Sequence, residues 1–345
     1  MKKIKLALAG AWHVHTMMYL KQIKEQFGES VEWAYVWDDD AARAGRVQKQ
    51  TGAPIAPDFQ TILDDPTIDA VLCEAETCKH RDILTRAARA GKHVYTDKAL
   101  CPTVADCLAV KEAVEQAGVK FAVSHESLAV ASYRYAKKLV DAGAIGDVVS
   151  LHFRRAHGAA KSDRLPDDWF SQKVAGGGAL IDLGIHGLSM LAHFCGRPGS
   201  VSAYTHNFTG HETEDSATIL VEFENGAIGT AHTDMVTNIM ENNFEILGTD
   251  GIITIQGLEG RDVVKVNSNR LPGKESEMAV IPAEEYAKTP SFPVCDFLRF
   301  VMTGADEDRA LAGMDMKTAL DVVGLAEAAY QSAASGRATA YRRDW

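Results

Sequence analysis

No Cys-x-x-Cys pair occurs in the 345 residues, and the six cysteines (Cys73, Cys78, Cys101, Cys107, Cys195 and Cys295) are scattered through segments that read as helix and strand. This excludes the usual dithiol-redox and zinc-ribbon spacings and fits the reduced thiols of a cytoplasmic protein. No apolar run approaches the roughly 18 residues of a membrane span. The start, Met1-Lys2-Lys3-Ile4, leads straight into a strand pattern without a signal-peptide core. Positive charge is also short. With 36 Lys and Arg against 47 Asp and Glu, the formal net charge of −11 argues against nucleic acid or an anionic membrane as partner. Internal repeats and low-complexity segments are missing too, which removes solenoids and arrays. What remains is an ordinary globular composition, 46% hydrophobic and 24% charged, long enough for two domains.

Alternating strand and helix signals run to about residue 122, with strands expected near 4–9, 31–37, 70–74, 93–95 and 119–123. This is the pattern of a doubly wound parallel sheet of the Rossmann type. It opens with the strand Ile4 to Ala9, a turn at Gly10 and a helix through Met17-Met18-Tyr19-Leu20. Where a dinucleotide fingerprint puts glycines at 10, 12 and 15, this chain has Gly10, Trp12 and His15, so only the turn glycine survives. The second strand ends at Trp37-Asp38-Asp39-Asp40. An acid there is placed to accept hydrogen bonds from ribose hydroxyls and its neighbours repel a 2′-phosphate, which favours NAD over NADP. Arg43 keeps the NADP reading open.

After a helix predicted from Ser132 to Ala142, the pattern changes to longer strands, such as Ser216 to Phe223 and Ala227 to Thr233 around the hairpin signal Asn225-Gly226. The second half therefore reads as an α+β domain with a large, mostly antiparallel open sheet and helices near 294–303 and 315–334. The expected division is a dinucleotide-binding domain over 1–122 and a substrate-binding and oligomerisation domain over 123–345, with the C-terminal helices packing back on the first.

Two motifs carry chemistry. Gly176-Gly177-Gly178 runs into a predicted helix with Asp182 and His186 four residues apart, on one face. An imidazole is suited to proton transfer near neutral pH, and a carboxylate one turn away can orient it. Upstream, a helix ending at Gly91 leads into a short strand through Val94 and Tyr95 and then Asp97-Lys98. A lysine just past the carboxyl end of a parallel strand sits where such sheets bind ligands.

In this order the pieces resemble the Gfo/Idh/MocA family, named for glucose-fructose oxidoreductase, inositol dehydrogenase and a rhizopine-catabolism protein. Gly91-Lys92-His93-Val94 with Asp97-Lys98-Ala99-Leu100 looks like the family's G-K-H-V and E-K-P stretch, Asp97 standing for its glutamate and Ala99 for its proline. The run from Gly176 to His186 looks like its G-G-G-x-x-x-D-x-G-x-H motif without a gap. The segments Ala142 to Val148, Gly248 to Gly251 and Ala328 to Arg337 extend the likeness over nearly the whole chain.

The resemblance implies hydride transfer between a nicotinamide and a carbinol carbon of a sugar or polyol, with Lys98, Asp182 and His186 catalytic. Candidate cofactor contacts are Gly10, Trp12, His13, Asp38, Thr77, His80 and Lys98, and candidate substrate contacts are His125, Glu126, Arg155 and His157. Glu74-Ala75-Glu76-Thr77-Cys78-Lys79-His80 departs from the family's T-P-N-x-x-H, placing acids near a pyrophosphate unless they are paired. No metal is assigned, because no set drawn from Asp182, His186 and His125 or His157 has a spacing that demands an ion. Two other classes stay open: a redox-neutral NAD enzyme working by transient oxidation, elimination and re-reduction, and a nonenzymatic nucleotide or sugar sensor. A homodimer or homotetramer is expected.

Overall fold

The computed structural model describes residues 3–162, 165–238, 241–258, 261–286, 291–306, 309–343 and 345. The chain divides into two units, one of Met1–Ser124, Lys173–Gly176 and Phe292–Leu320 and one of His125–Gln172, Gly177–Ser291 and Asp321–Trp345.

In the first unit the strands are β1 (Ile4–Ala9), β2 (Val31–Trp37), β3 (Ala70–Cys73), β4 (His93–Asp97) and β5 (Phe121–Ser124). The helices between them are α1 (Thr16–Phe27), α2 (Ala41–Thr51), α3 (Phe59–Asp64), α4 (His80–Arg89) and α5 (Val104–Ala117). All five strands are parallel, in the order β2-β1-β3-β4-β5. Near-continuous apolar runs such as Ala70-Val71-Leu72-Cys73, buried at every position, are what a sheet covered on both faces requires. The local stops are equally explicit. Asp40 caps α2 by accepting from the Ala42 and Arg43 amides, Thr103 caps α5 through the Asp106 amide, and Gly52 and Gly118 end those helices in the left-handed region. Beyond β2 a single parallel bridge, Val36 to Ile55, marks where a further edge strand would run. The order reverses between β1 and β3, so the carboxyl ends of these two strands form the switch point at which such sheets hold ligands. Strand β4 runs two residues past its predicted end, to Asp97, and Lys98 is the first residue beyond it.

The second unit holds α6 (Glu126–Ala129), α7 (Ala131–Asp141), α8 (Ala179–Asp182) and α9 (Gly184–Phe194). Its strands are β6 (Val148–Ala156), β7 (Pro198–His206), β8 (Ser216–Phe223), β9 (Ile228–Asp234), β10 (Asn242–Gly248), β11 (Gly251–Gly257), β12 (Val263–Ser268), β13 (Ala279–Val280) and β14 (Thr339–Ala340). They make one sheet of nine strands in the order β13-β12-β11-β10-β6-β9-β8-β7-β14, antiparallel throughout except for β6 beside β9. Asn225-Gly226 joins β8 to β9 as a hairpin. Along β8, residues alternate strictly between buried and exposed, which gives the sheet one packed and one open face. Phe244 at the packed face meets Tyr133 of α7 at 5.5 Å and Phe194 of α9 at 5.1 Å between ring centroids. Helix α10 (Pro293–Thr303) lies in the first unit, where Phe297 packs on Tyr95 at 5.5 Å, and α11 (Met316–Ser335) begins there and continues into the second.

One expectation changes. Asp182 and His186 do not share an unbroken helix: α8 ends at Asp182, and the His186 amide bonds to the Leu183 carbonyl at 3.3 Å, a tighter turn. Gly184 at the break packs against Thr233, where even a Cβ would meet its methyl at 3.2 Å.

Gly10 carries the sharpest backbone demand of the first turn, with φ +84°, and a Cβ added there would fall 2.3 Å from the Ala75 Cα. Gly10→Ala is expected to cost about 3 kcal/mol or more. Urea unfolding would measure it, and an unchanged midpoint would contradict the assigned turn.

Candidate active site

In the first unit the turn after β1 is stitched to the end of β3. The Trp12 and His13 amides donate to the Glu74 carbonyl at 2.9 and 3.1 Å, and both side chains are buried. Asp38, at the end of β2, accepts from the Ala11 amide at 2.7 Å, from the Asp40 amide at 2.8 Å and from Arg43 Nε at 3.0 and 3.1 Å on its two oxygens. Arg43 also reaches Asp39 at 3.1 Å and Glu76 at 2.7 Å, while Lys79 bridges Asp39 and Glu76. The acids that looked unfavourable beside a pyrophosphate are therefore paired in the case of Glu76. Burial resists the charge on Arg43, yet its bonds to Asp38 hold it firmly protonated.

Glu74 behaves differently. It is 1% exposed, and burial first, then the nearby Asp97 charge, push its carboxyl well above the ordinary range. Asp97 is equally buried. Against the opposing cost of burial, the imidazoles of His13 and His15 and the Lys98 ammonium hold it ionised far below the usual range. Its Oδ2 accepts from Tyr19 Oη at 2.6 Å, and its Oδ1 accepts from the Lys98 amide at 2.7 Å. Lys98 is 4% exposed. Thr77 is buried at the head of a short 3-10 turn. His80 is enclosed by backbone carbonyls, with Nε2 at 3.1 Å from Ala75 and Nδ1 at 3.0 Å from Leu100, so it ties the loop after β3 to the loop after β4.

In the second unit, His186 is 2% exposed, and its Nδ1 lies 3.0 Å from Ser127 Oγ. Arg155 donates to the same Ser127 oxygen at 2.8 Å and to Glu126 Oε1 at 3.1 Å. Glu126 Oε1 in turn stands 3.8 Å from His186 Nε2. The network fixes the ring plane of His186 and sets a carboxylate toward the nitrogen that Ser127 does not contact. His125 is buried beside Glu126, whereas His157 Nδ1 accepts from the Ala159 amide at 3.3 Å. As the strand period required, Arg155 points opposite to His152, which bonds to Thr230 on the open face.

The glycines before α8 are explained by proximity. A Cβ on Gly177 would fall 2.2 Å from Tyr330 Oη, and one on Gly178 1.9 Å from the Glu214 carbonyl oxygen. Glu214 caps α8: its Oε1 accepts from the Gly178 and Leu180 amides at 3.2 and 2.9 Å and from Tyr330 Oη at 2.8 Å. Ser127, Glu214, Tyr330 and Tyr19 were not assigned roles from sequence. Their partners lie 28 to 116 residues away, and no local pattern marks them.

Two family models match: the oxidoreductase family with NAD-binding Rossmann fold over residues 4–125, and the GFO/IDH/MocA C-terminal domain over residues 133–254. The chain belongs to the Gfo/Idh/MocA family. This Gfo/Idh/MocA chain is 28% identical over 230 residues to the 1,5-anhydro-D-fructose reductase of Ensifer adhaerens, a match spanning 66% of this chain and 68% of that one. It is also 28% identical over 233 residues to the 2,7-anhydro-N-acetylneuraminate hydratase of Escherichia coli (strain K12), spanning 66% of this chain and 60% of the relative. A solved structure of levoglucosan dehydrogenase in complex with NADH superposes with a TM-score of 0.86 over 99% of this chain and 100% of that one, at 20% identity, and so shares the Gfo/Idh/MocA fold.

Burial raises the Glu214 carboxyl despite the two amides and Tyr330. A raised folded-state value means that the folded protein holds the proton longer, so stability falls as pH climbs from 4.5 through that value. Glu214→Gln removes this slope. Denaturation across that window should show the variant gaining on the wild type as pH rises, and a constant difference would refute the assignment.

Proposed function

We propose that the protein transfers a hydride between a nicotinamide and a carbinol carbon of a sugar, polyol or sugar derivative, preferring NAD to NADP. The observation that carries this reading is His186, buried, held at Nδ1 by Ser127 and facing Glu126 through Nε2. Hydride can leave a carbon bearing a hydroxyl only if the hydroxyl proton leaves as well, to a base within hydrogen-bonding reach. His186 takes that proton. Ser127 and Arg155 keep the ring oriented, Asp182, His125, Glu126 and His157 hold substrate hydroxyls, and the Lys98 ammonium steadies the developing alkoxide. A bound nicotinamide supplies the hydride acceptor. Gly10, Trp12, His13, Asp38, Thr77, His80 and Lys98 are the residues that would hold it. The sheet's switch point, the Gly10 turn and the acid at the end of β2 fit such a group.

The preference for NAD rests on Arg43. It is engaged by Asp38, Asp39 and Glu76 together, which leaves its guanidinium committed to carboxylates at the end of β2. Asp38→Ser, which releases Arg43 Nε, should therefore shift the ratio of NAD to NADP affinity by at least about tenfold toward NADP. Calorimetric titration with both dinucleotides reads this directly, and an unchanged ratio would remove Asp38 as the determinant.

A second, redox-neutral reading draws on the 3.8 Å approach of Glu126 to His186, which puts two bases in one network, and on the hydratase among the relatives. We also propose a homodimer or homotetramer through the open sheet face, where Tyr204, Leu220 and Ile228 are exposed. All six cysteines are free, which supports a cytoplasmic setting, and no described helix is long and apolar enough to cross a membrane.

The test incubates the protein with NAD or NADP and a panel of sugars, polyols and glycosides, following nicotinamide absorbance and product mass. Net NADH with an oxidised sugar, reduced about 10²- to 10⁴-fold in kcat by His186→Ala and abolished by Lys98→Ala, is the expected outcome. Product without net NADH would favour the redox-neutral reading, and failure of both dinucleotides to bind would end both.

A further inference from the structure

Within the first unit, the turn after β1 and the end of β4 bring His13, His15 and Asp97 together, one ligand-type atom from each lying within 4.8 Å of the others. Among the described residues, this is the group of histidine, cysteine and acidic side chains that converges in this way. His13 Nδ1 and His15 Nδ1 stand 3.1 and 2.9 Å from the same oxygen, Asp97 Oδ2. His13 Nδ1 is also 3.3 Å from the main-chain N–H of His15. Both imidazoles thus turn Nδ1 toward one carboxylate oxygen, the arrangement in which a proton and a metal ion compete for the same nitrogen. A cation taking the place of those protons would have all three side chains as ligands.

We propose that His13, His15 and Asp97 form a site for a divalent transition-metal ion, a two-histidine, one-carboxylate set for which Zn²⁺ is the natural probe. With metal–ligand bonds of about 2.0–2.1 Å, tetrahedral ligands lie about 3.3–3.4 Å apart. The pairs at 2.9 and 3.1 Å need only open by a few tenths of an ångström. Tyr19 Oη, at 2.6 Å from Asp97, holds the carboxylate from outside the trio. A second observation points the same way. Glu74, 1% exposed and near enough to feel the Asp97 charge, has an Oε1 with no hydrogen-bond partner among the described residues. His15, with 23% of its side chain exposed, provides the way in for the ion.

The test uses the full chain after chelator treatment, with no dinucleotide or sugar present, so its outcome is independent of the redox reading. Zn²⁺ and Co²⁺ are titrated by calorimetry and by absorption. One equivalent should bind, and the Co²⁺ form should show ligand-field bands without the near-ultraviolet thiolate band that a cysteine ligand would give. His15→Ala and Asp97→Asn should each weaken binding at least about 100-fold. Cys78→Ser, which removes the exposed thiol, should leave it unchanged. His15→Ala loses a bond to Asp97 and some stability with it, so a far-ultraviolet circular dichroism spectrum in chelator that matches the wild type separates lost ligation from lost folding. Absence of one-equivalent saturable binding, binding that survives both ligand variants, or binding that disappears in Cys78→Ser would each overturn the proposal.

Discussion

Burying the Asp97 carboxylate is the constraint around which the first unit's site is built. A carboxylate 1% exposed must be met by hydrogen bonds and positive charge or give up its ionisation. Four neighbours meet this demand: Tyr19 and His15 bond to it, His13 lies at 3.1 Å, and the ammonium of Lys98 acts on it. The consequences reach back into the sequence. A turn that in other dinucleotide folds is left open by glycines carries Trp12, His13 and His15 here, and their main chain is pinned to β3 through the Glu74 carbonyl. The same crowding buries Glu74 beside an existing negative charge, and burial first, then that charge, push its carboxyl above the ordinary range.

The second unit solves a comparable problem with neutral and charged donors. His186 is buried, and its polar ring must be met by partners that also define its orientation. Ser127 supplies the contact at Nδ1, and Arg155 fixes Ser127 while neutralising Glu126. The short helix α8 that precedes His186 depends in turn on Glu214, which accepts from the amides at the start of α8 and is itself held by Tyr330. Two glycines are required there because any side chain would collide with that cap.

Much of the fold was legible from local pattern. The apolar run at β1, the hairpin at Asn225-Gly226 and the alternation in β8 each depend on residues close in sequence, and each forms where the pattern places it. The triglycine motif and Lys98 were also visible, because short-range spacing and strand ends mark them. The break between α8 and α9 was not. It depends on Gly184 fitting against Thr233, a contact between segments far apart in the chain.

By itself, then, the sequence determined the kinds of elements and their order, together with the acids and imidazoles available for chemistry, since periodicity, turn residues and charge are local properties. Only the tertiary structure decided which of those groups are partners. Arg43 is drawn to three carboxylates, Ser127 meets His186 Nδ1, and Asp97 is ringed by the histidines of another loop. The physical reason is that ionisation, ring orientation and affinity are set by burial and by distances of about 3 Å, and those exist only after strands remote in sequence have been laid side by side.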